Sequence, residues 1–248
     1  MEALGALELL FAALVLVVAY AVRGTAGFGG QAVAVPLLAL VLPLPVMVSA
    51  VVVLTALASL GHWLRDWGRI DWREIARLLP YTLAGVFAGL YVLEQVDVRV
   101  LTRAFGAFVI LYACFALATA TRPVRVPARY RAPARAIRAA LAGTAGAAFG
   151  AAAGPLYAMH FSSMRMEKDA FRVTITTILG IQALLRIAGY ARLGFYDGGV
   201  AILILAGLPL MVLGTRMGHW LAGRLDQHRF SVGIGVLLLV SGTALLFK

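Results

Sequence analysis

The residues best placed to do chemistry lie in two glycine-centred motifs. Arg23 leads into Gly24-Thr25-Ala26-Gly27-Phe28-Gly29-Gly30-Gln31 with Pro36 beyond, and the second motif is Gly143-Thr144-Ala145-Gly146 followed by Gly150, Gly154 and Pro155. Glycine permits positive φ and close backbone approach, and proline removes a donor, so helices are expected to break here, with Pro36 and Pro155 as breakers. A break at membrane depth is tolerated only where it lines a protein-enclosed cavity. Half-helices starting at such a break aim free N–H groups and the positive dipole end into the cavity, which makes an anion site, and the Thr25 and Thr144 hydroxyls could add donors. For any single glycine, tight helix packing is the simpler reading. The pairing of the two elements is what points to function.

Charge inside the apolar stretches is lopsided. Arg23 abuts the first break, Arg172 opens a span, Arg186 and Arg216 lie deeper, and Glu8 is the one acid well inside an expected helix. Intramembrane arginine usually faces a cavity or a partner, and guanidinium can grip an oxyanion bidentately. The competing account is snorkelling: Arg172 and Arg186 are about 21 Å apart along one helix, enough to reach opposite interfaces. For Arg172 the two readings balance, and for Arg186 snorkelling is favoured. The candidate substrate-binding set is therefore Arg23, Gly24, Thr25, Gly27, Gly29, Gly30, Gln31, Thr55, Gly143, Thr144, Gly146, Gly150, Gly154, Arg172 and Thr174.

Other chemistries find little support. His62, His160, His219 and His228 form no dense ligand set, so no metal and no cofactor is expected. Ser162-Ser163 has no nearby His-Asp arrangement, and no catalytic residue is assigned. The run Gly24 to Gly29 lacks the strand and the Lys-Ser/Thr of a nucleotide loop. Trp63, Trp67 and Trp72 read as an interfacial anchor.

The elements that must position these residues are membrane helices. Mean hydropathy is +0.92, 62% of residues are hydrophobic and 13% charged, which excludes an ordinary soluble domain. A net charge of +11 would suggest nucleic acid in a soluble protein, but the basic residues fall in short loops, the footprint of a cytoplasmic membrane face. Expected partners are the lipid bilayer and a small anion, with no nucleic acid and with oligomeric state open, a homodimer included. No removable signal peptide is expected. Cys114 is the lone cysteine and sits in an apolar run, so no intrachain disulfide is available.

Sliding the sequence by 119 residues superposes the two Gly-Thr-Ala-Gly motifs, Pro36 on Pro155 and Thr55 on Thr174; sliding by 129 superposes Pro80 on Pro209, Gly85 on Gly214 and Gly89 on Gly218. The chain thus reads as all-α and polytopic, two inverted repeats each made of a broken hairpin and three spans, eight to ten apolar segments in all. Repeat one occupies 1–120, with pieces at about 4–22, 30–44, 46–64, 76–93 and 102–120; a basic cytoplasmic linker fills 121–138; repeat two occupies 139–248, with pieces at about 136–148, 151–162, 171–190, 198–222 and 230–247.

Together these motifs resemble the sulfite exporter TauE/SafE family of bacterial permeases. The resemblance runs through Gly27-Phe28-Gly29-Gly30, Val35-Pro36, Arg69-Ile70-Asp71, Pro80 with Gly85 and Gly89, Phe149-Gly150, Gly154-Pro155, Lys168 to Phe171-Arg172 to Thr174, and Pro209 with Gly214 and Gly218. It implies transport of sulfite, sulfoacetate, thiosulfate or an organosulfonate across the bacterial inner membrane, with the hairpin motifs and Arg172 as the site. The stretch Gly150-Ala151-Ala152-Ala153-Gly154 is poorer in glycine than is usual in the family. An anion channel is the alternative, with a membrane-embedded enzyme or a structural anchor further behind.

Overall fold

The structure, a computed structural model, describes residues 5–119, 131–151, 153–162, 164, 166–221 and 227–247. Among them the regular structure is helical: α1 (Ala6–Ala26), α2 (Gly30–Leu38), α3 (Leu44–Asp66), a 3-10 turn (Trp67–Arg69), α4 (Trp72–Gln95), α5 (Val98–Thr119), α6 (Arg131–Phe149), α7 (Ala153–Ser162), α8 (Lys168–Arg192), α9 (Gly198–Leu221) and α10 (Gln227–Leu246). Five of them, α1, α3, α4, α8 and α9, are long and apolar enough to cross a membrane.

Local chemistry sets the helix ends. The Asp71 carboxylate accepts the Glu74 N–H at 3.0 Å and caps α4. At the end of α1, Gly27 adopts φ 82° and its N–H closes on the Arg23 carbonyl at 2.7 Å, a left-handed stop that glycine adopts without the usual Cβ penalty.

The two hairpins break in the gaps left between the expected pieces, at Gly27 to Gly29 and at Gly150 to Ala151, but the prolines are not the breakers. Pro36 lies inside α2. Pro155 is the third residue of α7, in the first turn, where an N–H would have no helical acceptor anyway. The second Gly-Thr-Ala-Gly motif is helical, and α6 continues one turn past Gly146 to Phe149 before Gly150, at φ 70°, ends it. The piece expected at 30–44 is shorter: α2 stops at Leu38, and the Val41 and Leu42 N–H groups close tight turns on the Leu38 carbonyl. Of the basic linker expected over 121–138, residues 121–130 lie outside the described residues, and from Arg131 the chain is already α6.

Buried share separates centre from periphery. Within the spans 61% of residues are buried in both α3 and α8, against 28%, 33% and 22% in α1, α4 and α9. So α3 and α8 pack together at the centre, while α1 lies against α9, α4 against α6 and α5 against α10. All three outer crossings are close because glycine is there: Gly218 meets Ala21 and Gly24 across the first, Gly89 meets Thr144 and Ala147 across the second, and Gly106 meets Gly242 across the third. A Cβ added at Gly24 would stand 2.6 Å from the Thr215 carbonyl oxygen. Short helices α2 and α7 fill the interior, α2 on α1 and α3, α7 on α6 and α8. The outward apolar side chains, Phe87, Leu111, Ile202 and Leu205 among them, suit lipid.

Candidate functional site

Helix α8 ties the two breaks together. Near its start the Thr176 hydroxyl donates to the Gly27 carbonyl at 3.0 Å and the Arg172 guanidinium to the Gly24 carbonyl at 3.3 Å. Further along, Gln182 donates to Ala142 O at 2.8 Å, Arg186 to Gly146 O at 2.6 Å, and Tyr190 to Ala147 O at 2.6 Å. The spacing of 182, 186 and 190 places these three donors on one face. They meet carbonyls in the last two turns of α6, toward the end that carries partial negative charge; Gly146 O also takes the Gly150 N–H at 3.0 Å, and Ala147 O lies past the last helical donor.

Arg186 is fully buried, with its second guanidinium nitrogen 3.2 Å from the Gln31 side-chain oxygen. Snorkelling, the sequence expectation for it, is therefore replaced by an interior role: a long polar side chain stays inside when carbonyls and an amide accept its protons. Arg216, expected to lie deep, is exposed on α9. Glu8 is exposed too, taking the Gly5 N–H at 3.0 Å.

Between the breaks a cavity of about 10 Å³ is lined by Arg23, Gly29, Gln31, Ala32, Gly154, Pro155 and Leu179. Arg23 is 3% exposed and donates to the Ser59 hydroxyl at 2.8 Å, which itself donates to Thr55 O at 2.8 Å. The first N–H groups of α2 and α7 begin at this cavity and have no acceptor within their helices. The Nε atoms of Arg172 and Arg186 and the Nε2 of Gln31 are buried without a hydrogen-bond partner. Among the described residues no carboxylate pairs with Arg23, Arg172 or Arg186. One guanidinium, the Gln31 amide and two helix N-termini meet at the cavity, Arg172 and Arg186 hold the breaks on either side of it, and such an arrangement is able to hold a small anion.

The expected site residues divide into three groups. Arg23, Gly29, Gln31, Gly154 and Pro155 line the cavity, and Gly30 opens α2 beside them, where an added Cβ would stand 2.9 Å from Ala19 O. Gly24, Gly27, Gly146, Gly150 and Arg172 build the breaks and their ties to α8. The remaining residues serve the frame. Thr25 and Thr144 spend their hydroxyl protons on Val22 O (2.7 Å) and Ala140 O (3.0 Å). Thr55 faces the Tyr20 hydroxyl at 3.4 Å, Thr174 accepts the Asp71 N–H at 3.0 Å, and Gly143 packs on Gly85.

The sequence reading did not place Ser59, Thr176, Gln182 or Tyr190 at the site. A polar stripe at 172, 176, 182, 186 and 190 along an otherwise apolar helix was the available signal. It also missed Glu74, which is 2% exposed on α4 and bound to His160.

Comparison with protein families matches residues 11–245 to the sulfite exporter TauE/SafE family. The match covers nearly the whole chain, and the chain belongs to that family. It is accordingly a multi-pass membrane transporter of a group associated with sulfite-type anions, and not an enzyme. Comparison with curated proteins and with solved structures finds no match.

Proposed function

We propose that this TauE/SafE-family chain is a secondary transporter of sulfite or a closely related sulfur oxyanion, carrying it across a bacterial inner membrane by alternating access between two inverted units, 1–120 and 139–248. The observation that carries this reading is the cavity where Arg23 meets Gln31 and the starts of α2 and α7, flanked at the two breaks by Arg172 and Arg186, with no carboxylate pairing with any of the three among the described residues. Leaving buried cations without a resident counter-charge is costly, and a bound anion offsets that cost. The fork of a guanidinium suits a pair of oxygens on a sulfur oxyanion.

Support for inverted units comes from the helix pairing. Exchanging the first five helices for the last five turns the α1 and α9 crossing into the α6 and α4 crossing, and carries the α3 with α8 and α5 with α10 pairs onto themselves. The residue contacts follow. Gly214 meets Val17 and Ala21 as Gly85 meets Ala140 and Thr144, so α1 and α6 correspond at a shift of 123, one turn beyond the 119 that aligns their Gly-Thr-Ala-Gly motifs. The α4 and α9 glycines keep their shift of 129. Under this arrangement the basic segment 121–138 faces the cytoplasm.

A cavity of about 10 Å³ has room for one water, not for a four-atom oxyanion. Substrate binding therefore requires the hairpins to part, which favours a carrier cycle over a standing channel. The test is counterflow by purified protein in vesicles, run with sulfite, thiosulfate, sulfoacetate, sulfate and simple carboxylates. Saturable exchange of at least one sulfur anion is expected. Failure to move any of them, with robust movement of cations or carboxylates instead, overturns the reading.

A further inference from the structure

Helix α7 lines the cavity at one end and holds an ion cluster at the other. Gly154 and Pro155 of its first turn face the cavity. Five residues beyond Pro155, about 8 Å along the helix, His160 Nε2 meets Glu74 Oε1 of α4 at 2.8 Å. Between these points the Tyr157 and Thr82 hydroxyls share a buried hydrogen bond of 2.7 Å. Both polar ties thus join α7 to α4, and their strength bears on whether α7 can move.

Glu74 draws its partners from three helices. Arg77 of α4 stands 3.2 Å away, Arg135 of α6 3.7 Å, and His160 comes from α7. Arg138 of α6 acts on His160 through space. The nearby carboxylates are otherwise engaged: Asp71 caps α4, and Asp169 of α8 pairs with Arg69 at 2.7 Å. From α8, Thr174 reaches only the Asp71 N–H. Arginine does not give up its proton in proteins, whereas carboxylate and imidazole do. A proton gained or lost here therefore falls on Glu74 or His160. The Glu74 side chain is 3% exposed, so little water screens the change.

We propose that Glu74 and His160 form the proton-binding site that couples anion movement to a proton gradient. Protonation changes the charge across the α4 to α7 tie, and the tie governs whether α7 can carry Gly154 and Pro155 away from Arg23. One proton bound from one face and released to the other per cycle balances the step with no further reactant. The inference rests on the transport reading above.

The test uses the full chain in vesicles with sulfite, measuring exchange at zero gradient and accumulation under a pH gradient of about one unit, which supports about tenfold accumulation per coupled proton. Glu74→Gln keeps the shape and a hydrogen bond to His160 but cannot carry the proton. Glu74→Gln and His160→Gln are each expected to exchange sulfite yet lose accumulation, with the ratio falling to that of the zero-gradient control. Wild-type accumulation in both variants overturns the coupling. So does loss of exchange and accumulation together in both, which would make the cluster a structural clasp. A wild type that exchanges sulfite but ignores the pH gradient overturns the coupling alone. A wild type that exchanges no sulfur anion overturns the transport reading and the coupling with it.

Discussion

Buried charge is handled in opposite ways at the meeting of the hairpins and at the foot of α4. Where the hairpins meet, Arg172 and Arg186 lean on backbone carbonyls near the ends of α1 and α6, Arg23 leans on Ser59, and no carboxylate pairs with them among the described residues. At the foot of α4 a single carboxylate takes two arginines and a histidine. Carbonyls at a helix end carry about half an elementary charge in total, so they relieve a guanidinium only in part and leave an electropositive centre. A resident carboxylate balances a cation outright. The first arrangement suits a ligand that comes and goes, and the second suits a tie whose charge is set by protons.

Arg186→Met should separate the two regions most sharply. It removes the donors to Gly146 O and Gln31. Hydrogen bonds to charged groups contribute about 1.5 to 3 kcal/mol each, but a well-packed apolar side chain in place of a buried charge recovers part of that. Melting should therefore change less than transport. Counterflow is expected to fall about 100-fold, equivalent to about 2.7 kcal/mol. Arg186→Lys should recover only part of it, because lysine lacks the planar fork. Full counterflow by Arg186→Met would remove the central arginine from the anion site.

The two breaks offer a second, smaller contrast. Gly150 and Gly29 both hold positive φ, 70° and 90°, which costs a residue with a Cβ about 1 to 2 kcal/mol. At Gly150 a Cβ would also stand 2.5 Å from Val48 Cγ1, whereas at Gly29 the nearest side-chain atom is 3.5 Å off, on Val22. Thermal unfolding in detergent should show Gly150→Ala more destabilised than Gly29→Ala, with overpacking adding about 1 kcal/mol or more. Adding Val48→Ala should recover only part of the overpacking, because the Cβ that alanine keeps at position 48 still stands 2.8 Å from the added one. Equal losses at the two glycines would mean that Val48 yields freely.

How far the sequence carried these distinctions follows from what each element shows on its surface. The spans expected at 46–64, 171–190 and 198–222 became Leu44–Asp66, Lys168–Arg192 and Gly198–Leu221, because charged or turn-forming residues bound long apolar runs. Burial in the interior was not legible in the same way. Arg186 could be placed inside only once Gly146 O and Gln31 were known to meet it. Glu74 hid among the arginines of a basic loop, where an acid is normally solvated; its burial depends on His160, 86 residues away. The break in the second hairpin fell in the expected gap, at Gly150, while the glycines of the motif before it stay helical: Gly143 serves the α4 to α6 crossing and Gly146 makes room for Gln182 of α8.

A milder substitution probes the ground between the two regions. Tyr157→Phe deletes the buried hydroxyl that Thr82 meets at 2.7 Å without touching the cavity lining. A loss of about 1 kcal/mol is expected in denaturant unfolding, on the scale of one net hydrogen bond, and more if the Thr82 hydroxyl is left without a partner. Thr82→Val with Tyr157→Phe removes both partners and should cost less than the sum of the single changes. Sulfite exchange should survive in all three proteins. Loss of exchange in a stably folded Tyr157→Phe would bring the Tyr157–Thr82 tie into the anion site and blur the division between the regions.

The smallest effect belongs to the pair just outside the foot. Arg69 and Asp169 meet at 2.7 Å, but their side chains are 58% and 53% exposed, so water and salt weaken the attraction and Arg69→Ala should cost at most about 1 kcal/mol. Asp169 has a second role as an acid in the first turn of α8, where the helix N-terminus favours negative charge by about 0.3 to 1 kcal/mol. Asp169→Asn should therefore be the costlier change by a few tenths of a kcal/mol, on that same dipole scale. Raising the salt concentration should shrink the Arg69→Ala effect and leave the penalty of Glu74→Gln nearly unchanged, because screening reaches an exposed pair and not a carboxylate sealed between α4, α6 and α7. If the two penalties fell together with salt, the Glu74 cluster would be open to solvent and its role as a shielded charge would be lost.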